Sequence, residues 1–290
     1  MILLQAPAKV NLWLRIIGRR DDGFHNLDSL MVPLEIGDQV RVERRSHAGI
    51  DFSCSGDCDG VPQDPSNLAW RAADQFFQQA GIVGGVRIEL EKNLPHGAGL
   101  GGGSSDAASV LMALQRLWKN PLGTDQLHGI ASELGSDVPF FLAGEASICR
   151  GRGEELSPFG KPAAGWLVLL KPPFSISTPW VYEAYAKMQR EGKIAALSNE
   201  VSSGSMGAIT LQNDLEKPVL QKFFVLRALK NWLLQQPGVT GALLAGSGST
   251  VFAVLPEEQL ARELATRASA ELGASWWVRV TRLCGQTAKD

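Results

Sequence analysis

A run of glycines followed by serines, between a strand and a helix, is the segment whose residue types and spacing could carry chemistry. The run is Leu94-Pro95-His96-Gly97-Ala98-Gly99-Leu100-Gly101-Gly102-Gly103-Ser104-Ser105-Asp106, with five glycines in seven positions. Glycines let a backbone approach a polyanion closely, and a helix that follows aims free N–H groups and its positive dipole end at phosphates. Ser104 and Ser105 add hydroxyl donors or cap that helix. The plain alternative is a linker, but linkers rarely join two well-patterned elements.

Other phosphate loops fit less well. Gly97-x-Gly99-x-x-Gly102 matches the dinucleotide fingerprint, which wants a second strand soon after the helix and an acidic residue about 20 positions on. Here Pro121-Leu122-Gly123 leads into another helix, and Asp125 stands at the right distance in the wrong setting. Gly97-x4-Gly102 imitates a Walker A start, yet Gly103-Ser104 occupies the place of Lys-Ser/Thr. No HRD or DFG signature of protein kinases occurs, and their glycine loop joins two strands.

The elements that must position these residues follow from periodicity. Ala8 to Leu14 alternates as a half-buried strand, with Ala8, Val10, Leu12 and Leu14 on one face and Lys9, Asn11 and Trp13 on the other. Asp21-Asp22-Gly23 marks a turn before Phe24 and His25. A helix is expected from Ser66-Asn67 toward Gly81, a strand over Val86 to Leu90, a helix after the glycine run, and another over Thr124 to Leu134 with Pro139 just beyond. After the Pro/Gly-rich stretch Ser157 to Gly165 come a strand at Trp166–Leu170 and helices at Trp180–Arg190 and Asp214–Gln235. Strands at Gly241–Leu244 and Val251–Leu255, a helix at Glu257–Leu272 and a strand at Trp276–Arg282 complete the pattern. The mixture does not alternate strictly, so the expected class is α+β in two parts, residues 1–160 and 161–290, with no internal repeat.

Composition narrows the partners. Of 290 residues 44% are hydrophobic and 20% charged, with a formal net charge of -2, a balance that argues against a general nucleic-acid or anionic-membrane surface. No apolar run approaches the roughly 18 residues that span a bilayer. Met1-Ile2-Leu3-Leu4 has no basic leader, so a signal peptide is not expected and a cytoplasmic setting is. Cys54-x3-Cys58 with His47 imitates half a zinc site but lacks a second ligand pair. Free thiols on a polar, Gly-rich loop are expected there, and no metal site.

Pro95 to Ser105 resembles the central motif of the GHMP kinases, the galactose, homoserine, mevalonate and phosphomevalonate kinases. Pro7-Ala8-Lys9-Val10-Asn11-Leu12 and Leu244-Ala245-Gly246-Ser247-Gly248-Ser249 are similar to two further motifs of that family, in order. Arg20-Asp21-Asp22-Gly23-Phe24-His25, Gly135-Ser136-Asp137-Val138-Pro139-Phe140-Phe141 and Asn213-Asp214-Leu215 resemble the branch acting on a cytidine diphosphate ester of methylerythritol. The likeness runs from about residue 6 to residue 254. Phe24 stands where the family usually has Tyr, His96-Gly97-Ala98 replaces Met-Gly-Gly, and Asp106 replaces Asn. A carboxylate there would either weaken ATP binding or help hold Mg²⁺.

The resemblance implies an N-terminal half like ribosomal S5 domain 2, a ferredoxin-like C-terminal half, and ATP and substrate meeting in the cleft between them. It implies ATP-dependent phosphorylation of the ester's 2-hydroxyl, on the non-mevalonate route to isoprenoid precursors, by a monomer or homodimer with ATP and Mg²⁺. Asp137 would be the catalytic acid/base and Lys9 would counter developing charge, the bland alternatives being an N-cap and a solvated edge-strand lysine. Residues Pro95 to Ser105 would wrap the ATP phosphates, with Gly246-Ser247-Gly248 closing the site. Asn67 and Lys92 would border the adenosine, or serve as a helix cap and a surface charge. Phe24 and Tyr182 would stack on the cytosine and His25 would meet its polar edge. Asn11 and Thr178 would orient the diphosphate-linked polyol.

Overall fold

The computed structural model describes residues 1–162, 164–193 and 203–284. The chain opens with β1 (Ile2–Arg19) and β2 (His25–Arg45), a long antiparallel hairpin whose register runs from Ile2↔Val42 to Arg19↔His25. Its tip is tied by Asp22, which accepts from Arg20 Nε at 3.0 Å and from the Phe24 amide at 3.1 Å. The register shifts between Pro7 and Lys9, between Asn11 and Trp13, and between Ile16 and Gly18. Such bulges re-aim side chains, and the second removes Trp13 from the simple alternation expected for this segment.

The first sheet has the order β10-β1-β2-β4-β3, with β5 (Ser147–Gly151) beside β2 and β6 (Glu155–Pro158) beside β5. β3 (Gly49–Gly56) runs parallel to β4 (Gly85–Lys92), so Cys54 belongs to a strand and not to the expected loop; only Cys58 lies beyond its end. Alternating Val86, Ile88 and Leu90 face a core shared with α1 (Leu68–Ala80), α2 (Gly102–Leu117), α3 (Thr124–Leu134) and α4 (Val138–Ala143). The last of these is the helix that an N-cap at Asp137 would start, with Pro139 inside it and not merely beyond α3. Pro139 sits in the first turn of α4, where a proline costs no hydrogen bond.

The second sheet has the order β11-β12-β7-β13 and is antiparallel throughout. β7 (Trp166–Lys171), α5 (Thr178–Arg190), β11 (Gly241–Leu244), β12 (Val251–Leu255), α8 (Glu258–Leu272) and β13 (Trp277–Arg282) give it the ferredoxin-like β-α-β-β-α-β order. Between α5 and β11 lie the short hairpin of β8 (Ser205–Met206) and β9 (Ile209–Thr210), and β10 (Gln212–Asn213), α6 (Glu216–Lys222) and α7 (Phe224–Leu234). The single helix expected over Asp214–Gln235 is therefore two. The break is Phe223, at φ -103 and ψ 82, whose ring stacks on Phe174 with centroids 5.6 Å apart.

β10 returns from this half to pair with β1, at Trp13↔Gln212 and Leu14↔Asn213. The two sheets also share a core: Ala8, Val10, Leu12, Leu30, Val32 and Leu34 of the first meet Leu167, Leu169, Leu243, Phe252 and Val254 of the second. This junction is why β1 is not half-buried as its alternation suggested. One face enters the shared core, and the other, with Lys9 and Asn11, lies beneath the glycine loop and is buried as well. Among the described residues no helix is long and apolar enough to cross a membrane.

Candidate active site

The cleft between the two halves has a volume of about 1080 Å³. Every residue expected at a site lines it except Ser105 and Gly248. The side chain of Ser105 is fully buried in α2, with no partner for Oγ among the described residues, so it offers no hydroxyl to a ligand. Neither serine caps the helix: the N-cap is Gly101, at φ 75, and α2 already starts at Gly102.

The glycine loop is built as a shaped wall. Gly99 takes a left-handed φ of 77, and a Cβ there would run into the carbonyl oxygen of Ala245, so only glycine lets the loop meet the turn after β11. Gly101 is equally tight, with a Cβ placed 2.8 Å from Phe141 Cζ and 3.1 Å from Lys9 Cγ. The loop is tied to the strands around it. The Lys9 amide donates to Leu100 O at 2.9 Å, and the Thr250 amide to Ala98 O at 3.2 Å. Ser175 Oγ donates to His96 O at 3.1 Å.

Lys9 is 4% exposed, which excludes the solvated edge-strand lysine. Its Nζ donates to Asn11 Oδ1 at 2.8 Å and stands 3.5 Å from Asp137 Oδ2. Asn11 Nδ2 donates in turn to Ser29 Oγ at 2.8 Å, and Ser29 Oγ to Trp13 O at 2.7 Å. Both ends of the Asn11 amide are thus engaged, and its first effect is to fix the lysine. Asp137 is the N-cap residue of α4, with φ -88 and ψ -11, but its side chain makes no capping bond. Its carboxylate is instead directed at Lys9 and the cleft.

The second half closes the cleft through its own turn. Thr178 Oγ1 and Ser247 Oγ share a hydrogen bond of 2.7 Å. Gly246 sits so close to β1 that a Cβ on it would lie 3.2 Å from Lys9 Nζ. That turn is held by Asn213 Nδ2, which donates to Leu244 O at 2.9 Å and to Gly246 O at 2.7 Å. The Asn213-Asp214-Leu215 motif acts here as a joint, since Asp214 Oδ2 also accepts from the Ile16 amide at 2.9 Å.

At the other end of the cleft Phe24 is 51% exposed, with the Arg152 guanidinium carbon 5.1 Å from its ring centroid. His25 is buried, with its ring stacked on Tyr182 at a centroid distance of 5.4 Å and an interplanar angle of 27°. Its Nε2 has no partner among the described residues. Burial, and then the positive charge of Arg19, hold the imidazole below its ordinary pKa, so it is neutral near pH 7. Burial, and then the carboxylate of Asp137, push the Tyr182 hydroxyl upward. Tyr182 therefore approaches both the histidine and the carboxylate.

Asn67 and Lys92 also lie inside the site. Asn67 is the N-cap of α1 and accepts from the Ala69 amide at 2.9 Å, and it also lines the cleft. Lys92 is no surface charge, being buried between the carboxylates of Asp38 and Asp106. Sequence reasoning missed Ser29 and Arg152, which line the cleft from β2 and the β5–β6 turn, and Asp38 of β2, which is buried behind it against Lys92. An isolated polar residue in an apolar strand, such as Ser29 before Leu30-Met31-Val32, was the only available signal for the two on β2.

Comparison with known proteins agrees with this geometry. The GHMP kinases N terminal domain matches residues 67–145, and the GHMP kinases C terminal description matches residues 202–274. A 4-diphosphocytidyl-2-C-methyl-D-erythritol kinase of Methylacidiphilum infernorum is 42% identical, over 97% of this chain and 96% of the relative. A protein of that name from Geotalea daltonii is 38% identical over 96% and 97% of the two chains. A crystal structure of 4-(cytidine 5'-diphospho)-2C-methyl-D-erythritol kinase is 35% identical, covering 98% of this chain and 100% of its own, with a TM-score of 0.77. The homoserine kinase of Cytophaga hutchinsonii, at 19% identity and a TM-score of 0.71, shares the fold. Likeness at this level along nearly the whole length places the chain in the 4-diphosphocytidyl-2-C-methyl-D-erythritol kinase family of the GHMP kinases.

Proposed function

We propose that this chain transfers the γ-phosphoryl group of ATP to the 2-hydroxyl of 4-diphosphocytidyl-2-C-methyl-D-erythritol, on the non-mevalonate route to isoprenoid precursors. The observation that carries the reading is the Lys9–Asp137 contact of 3.5 Å directly beside the glycine loop, in a cleft whose far end offers an exposed aromatic and an unpartnered histidine nitrogen. Phosphoryl transfer asks for positioning, charge neutralisation and an acceptor for the hydroxyl proton. Asp137 takes the proton as the new O–P bond forms and the bond to ADP breaks, while Lys9 counters the charge that develops.

Residues Pro95 to Ser104 would hold the ATP phosphates through backbone N–H groups and the α2 N-terminus, and Mg²⁺ bound with ATP would neutralise phosphate charge there. Asn67 and Lys92 border the adenosine. Phe24 and Tyr182 flank the cytosine, His25 Nε2 meets its polar edge, and Thr178 with Ser247 faces the polyol. In this reading residues 1–160 supply the nucleotide loop and the base, and 161–290 supply the closing turn. The sheet topology supports that division, with β10 as the strand that crosses it. One copy provides every residue named, so a monomer or each half of a homodimer would act alike, in the cytoplasm. The test is a transfer assay with ATP, Mg²⁺ and a panel of alcohols, read by phosphorus NMR. The cytidine ester should be phosphorylated at its 2-hydroxyl, ahead of galactose, homoserine or mevalonate; equal use of the free alcohols would refute the assignment.

A further inference from the structure

Behind the glycine loop lie three buried charges, two of which, Asp38 and Asp106, have no part in the transfer reaction as proposed. Asp38 comes from β2, Lys92 from the end of β4, and Asp106 from the second turn of α2. Lys92 Nζ donates to Asp38 Oδ2 and, at 2.6 Å, to Asp106 Oδ2. Asp38 Oδ1 also accepts from the amides of Asn93 and Leu94, at 2.6 and 2.8 Å. The cluster therefore clamps both stems of the loop, the entry at Asn93-Leu94 and the exit in α2. It stands just behind the loop backbone: a Cβ on Gly102 would lie 3.4 Å from Asp38 Oδ2 and 3.5 Å from Lys92 Nζ.

The two carboxylates are not equivalent. Asp38 is satisfied by an ammonium and two backbone amides. Asp106 has the ammonium and, in its neutral form, a hydrogen bond with Asp38; it is 2% exposed, and its Oδ1 has no partner among the described residues. With both ionised against one lysine, a negative charge remains in excess in a buried place, and Asp106 is the member least able to keep it. The charged or titratable groups facing it are Lys92 from β4, Asp38 from β2 and the Cys54 thiol from β3. Lys9 of β1 lies beyond Gly101.

We propose that Asp106 makes nucleotide binding take up a proton, because its ionised form opposes the phosphates from behind the loop and its neutral form does not. This rests on the glycine loop being the ATP phosphate site. Asp106 is a positioning residue in this account: it acts on the nucleotide through Lys92 and the loop backbone. Burial, and then Asp38 acting against the stabilising Lys92, push its carboxyl up to about 7 in the unliganded protein. Phosphate charges arriving nearby raise it further. Nucleotide affinity is then at its full value well below pH 7 and weakens as pH rises through the interval between the free and bound pKa values.

The experiment is titration calorimetry of the full chain with a non-hydrolysable ATP analogue and Mg²⁺, near pH 7, in two buffers of different ionisation enthalpy. The unmodified protein should take up a measurable fraction of one proton per nucleotide bound, and Asp106→Asn should take up less. Titration of the analogue's own phosphates is common to both proteins and cancels in the difference. In turnover, KM for ATP should rise with pH in the unmodified protein and stay flatter in Asp106→Asn, with KM for the cytidine ester showing no such difference. Asp38→Asn is the second variant. It removes the competing carboxylate, so the midpoint of proton uptake should move to lower pH. Equal uptake in the parent and Asp106→Asn, or an unmoved midpoint in Asp38→Asn, overturns the inference while leaving the kinase reading intact. Failure of the unmodified protein to bind the analogue overturns both.

Discussion

Lys9 Nζ lies 3.5 Å from Asp137 Oδ2 and is held there from its other side by Asn11 Oδ1 at 2.8 Å. The lysine side chain is 5% exposed and the aspartate 32%, so the pair is oriented with its carboxylate toward the cleft. An ammonium fixed in this way can answer charge as it develops without reorganising.

Replacing Asp137 by Ala is accordingly expected to lower kcat by roughly 10²–10⁴, the usual contribution of a general acid or base. Binding of ATP should persist, because the glycine loop is tied through Lys9, Thr250 and Ser175 and not through this carboxylate. Steady-state kinetics with a parallel nucleotide-binding measurement decides it. Near-normal turnover would leave Asp137 with no chemical role.

Two neighbouring glycines should respond differently to an added side chain. Gly101 has φ 75 and no room, since its Cβ would press on Phe141 and Lys9, so Gly101→Val should lower stability as well as ATP affinity. Gly102 starts α2 and its Cβ would make only ordinary contacts, the nearest at 3.4 Å. Gly102→Ala should therefore keep the melting temperature near the parent's, its methyl group facing Asp38 and Lys92 behind the loop. A thermal melt beside a kinetic titration separates the two; a Gly101→Val protein that binds ATP as tightly as its parent would remove the loop from the phosphates.

Local patterns were legible where one element supplied its own signal. The Asn67 cap and the Gly81 terminus bracket α1, and alternation marks β4 and the strands of the second sheet. β2 was not legible: Leu30 to Leu34 is apolar on both faces because it lies between two cores, and period two vanishes there. The motif residues Lys9, Asn11, Asp137 and Asn213 could be named from sequence, but the contacts that hold the site together could not. Asn11 is fixed by Ser29, Gly246 by Asn213, and Lys92 by Asp38, each across a strand pairing or a domain junction that no local pattern encodes. Asp106 stood out as an unusual residue, yet its meaning depends on an ammonium and a second carboxylate brought from other strands.

His25 gives a pH dependence whose sign can be worked out. Its imidazole is held below the ordinary value of 6.5 by burial and by Arg19, so the folded protein resists protonating it while the unfolded chain does not. The stability it contributes is complete above pH 6.5 and is lost as pH falls through the lower folded value. The difference in melting temperature between the parent and His25→Asn should therefore shrink on acidification below pH 6.5. A difference independent of pH would mean that the ring titrates as in free solution.

Phe24 offers the sharpest separation of the two nucleotides. A ring that is 51% exposed gains from being covered, and Arg152 at 5.1 Å limits its freedom before any ligand arrives. Stacking of a base on an aromatic side chain is worth roughly 1–3 kcal/mol. Phe24→Ala should thus raise KM for the cytidine ester by about tenfold or more, each 1.4 kcal/mol being a factor of ten. KM for ATP should hardly move, since the glycine loop and Asn67 lie at the other end of the cleft. Arg152→Ala should shift the same constant in the same direction by less, because it leaves the ring in place and removes only its support. Both variants are read in one experiment, with each substrate varied against saturating amounts of the other. If Phe24→Ala weakens ATP and spares the cytidine ester, the two nucleotides occupy each other's assigned places, and Phe24 with Arg152 belongs to the adenosine.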